Sequence, residues 1–292
     1  MRSNVREYSL LAPPTLHEAL KLLASDPGLT PIAGGTELMV ALSAGRLPQR
    51  QLLSLHQLRE LRFIHANPET IVLGAGTTFT DIRRHEAIAE DLPLLTAAAS
   101  WTGSIANQNR GTLGGNIVNA SPAADTPPAL LAYGATLTLI SSAGMRTMPY
   151  GMFHLSYKKT ALAADELLYS VTVPRRWPGY RSYIRKVGTR NAQAISKVAI
   201  AALAKIEDGA IADVRIGAAS LRETPTRCAA TEKALTGQAI SPAELPRLVA
   251  AARSALATEA KPIDDIRSTA KYRAAVAANL IEEFLEQLAT RA

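Results

Sequence analysis

The chain has 292 residues, 47% of them hydrophobic and 20% charged, with a formal net charge of +7. That composition excludes global disorder and supplies enough core for roughly two domains without metal or disulfide staples. One cysteine, Cys228, and five scattered histidines exclude an intrachain disulfide, an iron–sulfur cluster and a cysteine-based zinc site on this chain, so no metal ligand set is expected.

The N-terminal MRSNVREYSLLAPPT lacks the apolar stretch of a signal peptide. No apolar run reaches the roughly eighteen residues of a membrane span, and a cytoplasmic location is expected. TLHEALKLLAS (Thr15–Ser25) spaces its leucines as a helix behind a threonine able to cap it. The turn DPG leads into a short strand, LTPIA, and TELMVALSAG reads as a helix stopping at Gly45. QLLSL is a short strand, and HQLRELRFI leads into another. From Thr70 the sequence reads as a strand, a turn and one long helix ending at Trp101. PPALLAYGATLTLISSAG gives a helix and a strand, and ELLYSVTVP (Glu166–Pro174) alternates as a strand.

PRRWPGYRSYIRK (Pro174–Lys186) is the one basic–aromatic cluster. With the remaining cations spread along the chain, it reads as a connection between domains rather than a nucleic-acid site. Beyond it, AISKVAIAALAKIEDGAIADVRIGAAS gives two strands joined by a hairpin turn at EDG, and alanine-rich helices follow. The expected class is α+β. The expected divisions are residues 1–56, 57–177 and 178–292.

Three glycine motifs interrupt this pattern. GAGTTF (Gly74–Phe79) has Phe79 where a dinucleotide fingerprint needs its third glycine, and reads as a turn between strand and helix. PIAGGTEL (Pro31–Leu38) also joins a strand to a helix. Its two glycines permit close backbone approach, and N–H groups at a helix start suit a diphosphate. Thr36 either bonds a ligand or caps its own helix. GTLGGNIVNASPAAD (Gly111–Asp125) carries no charge before its last residue and offers Thr112, Asn116 and Ser121 as neutral hydrogen-bonding groups. Asp125 either caps the next helix or accepts bonds from hydroxyls. An extended ligand with a diphosphate, a polyol and a flat heterocycle would account for both segments.

At these residues the chain resembles the FAD-binding medium subunit of the molybdenum hydroxylases, the xanthine dehydrogenase family. YIRKVGTRNAQAISKV (Tyr183–Val198) is similar to the opening of that family's C-terminal domain, and DDIRSTAKYRAAVAANLI (Asp264–Ile281) to its terminal helix. The resemblance implies a two-part FAD-binding domain of the PCMH/vanillyl-alcohol oxidase type, followed by a C-terminal domain with a small antiparallel sheet and helices. It implies that Thr30, Pro31, Ile32, Ala33, Gly34, Gly35, Thr36, Glu37 and Leu38 line one side of the FAD diphosphate. Glu37 stands where bacterial relatives often have Asp. Thr112, Gly115, Asn116 and Ser121 line the other side, and Asp125 bonds ribityl or ribose hydroxyls. Leu168 matches an apolar position near the flavin, or is a core leucine. Lys186 matches a lysine near the ring system, or is a surface lysine beside Arg185; Arg190 is a weaker candidate for a similar place. SIANQNRGT departs from the family's usual run, which removes support for flavin contacts by Ala106–Gln108.

The function so implied is electron transfer, with no catalytic acid or base on this chain. Iron–sulfur clusters would sit on a small partner subunit and molybdopterin on a large one, in a dimer of heterotrimers, with an acceptor such as NAD. The alternatives are a stand-alone FAD oxidase or dehydrogenase of the same fold, and a non-catalytic scaffold.

Overall fold

A computed structural model describes residues 4–190 and 193–290. Its first part is a parallel sheet with one amphipathic helix. Strand β1 (Ser9–Leu11) is followed by helix α1 (Leu16–Ser25), whose N-cap Thr15 accepts a hydrogen bond from the Glu18 N–H. The leucine spacing buries Leu16, Ala19, Leu20 and Leu23 on one face, as the sequence predicts. Strand β2 (Thr30–Ile32), helix α2 (Leu38–Ser43) and strand β3 (Gln51–Ser54) complete the unit, with strand order β1-β3-β2. Gly45 ends α2 in the left-handed region, at φ +68°.

The second part is a five-stranded antiparallel sheet covered by helices. It opens with β4 (Ile64–Ala66) and β5 (Thr70–Gly74). The expected long helix is three helices: α3 (Phe79–Arg84), α4 (Glu86–Asp91) and α5 (Pro93–Trp101). His85 and Leu92 leave helical geometry between them, and Pro93, which has no N–H to give the preceding turn, starts α5 at its first position. Helix α6 (Ile105–Arg110) and helix α7 (Leu113–Val118) follow, then α8 (Pro127–Tyr133), β6 (Thr136–Ser141) and β7 (Gly144–Pro149). A small hairpin, β8 (His154–Ser156) with β9 (Lys159–Thr160), precedes β10 (Leu167–Pro174). Strand β10 is central in the order β4-β5-β10-β6-β7, which is why its residues are apolar and β-branched.

The third part has the four-stranded antiparallel order β11-β12-β13-β14: β11 (Arg181–Val187), β12 (Val198–Glu207), β13 (Ala210–Ala219) and β14 (Thr226–Arg227). The hairpin forms where EDG predicts it, with Asp208 and Gly209 both at positive φ, 49° and 72°. Helices α9 (Ala229–Leu235), α10 (Leu245–Glu259) and α11 (Ala270–Thr290) close the chain.

Strand β12 is buried on both faces. Ala201 and Leu203 join the core of the second part, while Val198, Ile200, Ala202 and Ala204 join the core under α10 and α11. Alternating side chains thus pack the C-terminal sheet between two layers. The approach to α8 is close enough that a β-carbon on Gly217 would lie 2.0 Å from the Pro128 carbonyl oxygen. Trp177 packs in the same region, its ring 5.5 Å from that of Tyr133. Among the described residues, no helix is long and apolar enough to cross a membrane.

Candidate functional site

The first glycine segment leaves β2 at Ile32 and enters α2 at Leu38. Gly35 takes φ +74°, a conformation that favours glycine. Glu37 is the N-cap residue, without a side-chain capping bond, so Thr36 does not cap the helix. Among the described residues, none accepts a hydrogen bond from the backbone N–H groups of Gly34 through Leu38. Half-buried donors of this kind suit an anionic oxygen. Thr30, Ile32, Ala33, Gly34, Gly35, Thr36 and Leu38 are half-buried, while Pro31 and Glu37 are exposed.

Gly34 brings the second segment alongside. A β-carbon there would lie 1.9 Å from the Arg110 carbonyl oxygen and 3.0 Å from the Gly111 α-carbon. The two glycine segments, distant in sequence, therefore meet backbone to backbone.

The second segment is not a simple bend. Residues Leu113–Val118 form α7, capped by Thr112, whose hydroxyl accepts from the Gly115 N–H at 3.0 Å. Glycine pairs are poor helix formers, so this turn needs outside help. The Leu113 N–H donates to the Thr77 carbonyl at 2.9 Å and the Gly114 N–H to the Ala75 carbonyl at 2.8 Å. Gly111 lies against the Phe79 ring, where a β-carbon would be 2.9 Å from Cε2. GAGTTF is thus the turn on which α7 docks. The first amides of α7 are already bonded, so this segment offers side chains and surface where the first offers N–H groups. Thr112 is buried and Gly115 exposed. The Asn116 amide oxygen accepts from the Thr126 hydroxyl at 2.6 Å, and the Ser121 hydroxyl accepts from the Ala123 N–H at 3.3 Å.

Asp125 does not cap α8, whose N-cap is Thr126. Its carboxylate instead accepts from the Lys186 ammonium at 2.7 Å and from the Ser196 hydroxyl at 2.7 Å. Lys186 also donates to the Trp101 carbonyl at 3.2 Å. Burial holds the Asp125 carboxyl above its ordinary range, against the pull of Lys186. Lys186 is therefore not a free surface lysine, and Arg185 pairs elsewhere, with Glu283 at 3.4 Å. Arg190 donates to the Gln193 carbonyl, and Asn191 and Ala192 lie outside the described residues. Leu168 is a buried core leucine beside a bulge in β10. Gln108 is buried and bonded to Arg83 and the Ser100 carbonyl, which accounts for it structurally.

Nothing in the sequence marks Lys158, which the fold brings to the same place. In the turn between β8 and β9, at φ +58°, its ammonium donates to the Asn119 carbonyl at 2.7 Å and side-chain oxygen at 2.9 Å. Burial lowers its pKa, and the Glu37 carboxylate opposes that shift. A cation thus ties the end of α7 to the β8–β9 turn.

The chain resembles known proteins along nearly its whole length. Residues 6–176 match the family described as the FAD binding domain in molybdopterin dehydrogenase, and residues 183–288 the CO dehydrogenase flavoprotein C-terminal domain. The chain is 31% identical to the xanthine dehydrogenase FAD-binding subunit of Escherichia coli O157:H7 over 264 residues, 89% of this chain and 88% of that one. It is 28% identical to the glyceraldehyde dehydrogenase medium chain of Sulfolobus acidocaldarius over 283 residues, 97% of this chain and 99% of that one. A solved carbon monoxide dehydrogenase from Hydrogenophaga pseudoflava, lacking the Mo-pyranopterin moiety of its molybdenum cofactor, matches with a TM-score of 0.90 at 27% identity. That match covers 97% of this chain and 96% of the other. The chain belongs to the FAD-binding medium-subunit family of the molybdenum-containing dehydrogenases.

Proposed function

We propose that this chain is the electron-transfer subunit of a heteromeric, cytoplasmic molybdenum hydroxylase. It receives electrons from iron–sulfur clusters on a small partner subunit, fed by molybdopterin on a large one, and passes them to an acceptor such as NAD. The assembly is a dimer of such heterotrimers. The single cysteine supports the placement of the clusters on a partner, since one thiol cannot ligate them.

The observation that carries this reading is the contact of Gly34 with Arg110, which sets unbonded N–H groups of one segment beside the polar surface of the other. The residues fit FAD. The segment Thr30–Leu38 holds the diphosphate from one side, and Thr112, Gly115, Asn116 and Ser121 flank it from the other. Asp125 and Lys186 would serve the polyol and ring end, while Leu168 is a buried residue of the core. Bound FAD supplies a ring that exchanges electrons singly or as a hydride, the chemistry an electron junction requires. The working divisions are residues 1–56, 57–177 and 178–292.

The test is to purify the chain alone and with the products of its neighbouring genes, record the flavin spectrum and assay dehydrogenase activity. Flavin without activity alone, and activity in the complex, is the expected result. Activity of the isolated chain would instead favour a stand-alone flavin oxidase or dehydrogenase, and flavin in neither preparation would refute the reading.

A further inference from the structure

We propose that Asp125 is a positioning residue that fixes the Lys186 ammonium beside the flavin, and that Ser196 fixes Asp125 for that role. The inference rests on the FAD reading above and extends it from which residues line the site to how its cation is held.

A lysine is a point charge on a flexible four-carbon stem, so its effect on a neighbouring group depends on what restrains it. Here three restraints converge from separate segments. Lys186 Nζ lies 2.7 Å from Asp125 Oδ2 and 3.2 Å from the Trp101 carbonyl oxygen, while Asp125 Oδ1 takes the Ser196 hydroxyl at 2.7 Å. Both charged side chains are 11% exposed. Ser196 is itself anchored. Its carbonyl accepts from the Ser220 hydroxyl at 2.9 Å, the neighbouring Lys197 N–H donates to the Val187 carbonyl at 2.8 Å, and Ser220 N–H donates to the Pro122 carbonyl at 2.8 Å. The network thus joins the end of the second glycine segment to β11 and to the chain on either side of the β12–β13 hairpin.

Both carboxylate oxygens of Asp125 are engaged by this chain, which suits an orienting group better than one whose only task is to meet ligand hydroxyls. Removing the carboxylate would leave the ammonium with one carbonyl partner in a largely buried place, and its stem is long enough to carry it to water. The cation would then cease to act on the flavin. A merely structural ion pair makes a different prediction: the lysine's influence on the flavin would be the same whether or not Asp125 is present.

The experiment uses the intact complex with bound FAD, equilibrated against reference dyes, and reads the ratio of reduced to oxidised flavin spectroscopically. Lys186→Met is compared in three backgrounds: wild type, Asp125→Ala and Ser196→Ala. In wild type the replacement is expected to shift the ratio toward oxidised flavin by about fivefold, because a nearby cation favours the reduced, more negative ring. In Asp125→Ala the same replacement should shift it by less than about twofold, the signature of two coupled residues. In Ser196→Ala the shift should shrink by about half. Equal shifts in all three backgrounds would overturn the proposal, as would no shift in any. If Asp125→Ala sheds its flavin, the Ser196→Ala background decides alone, an undiminished shift there refuting the proposal. A wild-type complex without FAD would overturn the underlying reading, a failure visible before any variant is made.

Discussion

Gly34 and Arg110 meet so closely that a side chain as small as a methyl group at position 34 would lie 1.9 Å from the Arg110 carbonyl oxygen. Gly34→Ala must therefore push the first segment away from the second. Overpacking of this kind costs about 1–3 kcal/mol and should weaken FAD retention by about tenfold or more. The flavin-to-protein absorbance ratio after gel filtration measures this, and an unchanged ratio would show that the contact does not shape the site.

Lys158 gives a second test, at the far end of α7. Lys158→Ala removes two charged hydrogen bonds to Asn119 at the surface, an expected loss of about 0.5–1 kcal/mol in stability, and it should lower FAD affinity. Lys158→Arg should restore most of the loss, and Lys159→Ala, at an equally exposed neighbour, should have no effect. Denaturant titration and flavin fluorescence quenching read the two quantities separately. Equal behaviour of the two alanine variants would count against the role given to Lys158.

His154 sets an acid limit to stability. Burial against Tyr150 and Phe153 lowers its pKa to about 4. In the unfolded chain its imidazole takes up a proton near its ordinary pKa of about 6.5, while the folded protein resists until about pH 4. The stability this group contributes above pH 6.5 should thus be lost progressively between pH 6.5 and about 4, as its imidazole takes up a proton on unfolding. Thermal melts across this range check it. His154→Phe should flatten the dependence, and a slope that survives the replacement would assign it elsewhere.

Cys228 should be inert while the protein is folded. It is 1% exposed, and burial raises its thiol well above the ordinary range, so little thiolate forms at neutral pH. Iodoacetamide should label less than about a tenth of it in native protein and nearly all of it in denaturant, read by intact mass. Rapid native labelling would mean that the C-terminal helices open readily.

Much of the architecture was legible because its causes are local. The leucines of α1, the alternation in β10 and the Glu207–Gly209 turn each carry their own instruction, and each element formed where the pattern put it. The long helix after Thr78 broke into three because His85 leaves helical geometry after α3, and Leu92 and Pro93 cannot continue the turn of α4, boundaries that apolar periodicity hides. Helix α7 was illegible for the opposite reason. Its glycines argue against a helix, and Thr77 and Ala75, more than thirty residues earlier in the chain, bond its first amides. In the site, the first glycine segment announced itself through Gly34 and Gly35. The pairing of Asp125 with Lys186, 61 residues apart, did not, and Lys158 sits 39 residues from Asn119 in a turn without glycine. Charge pairs of this range are written in the fold, and no local pattern encodes them.

Strand β12 faces apolar neighbours on either side, Ala201 and Leu203 toward one and Ile200 and Ala202 toward the other. Cutting the chain between its parts would therefore strip a greasy surface bare on each fragment, and the halves should clump when expressed separately. Grafting the tail of a cousin onto this body would require re-cutting α8 to match. The two family matches on this chain, though separable as text, behave as one physical object.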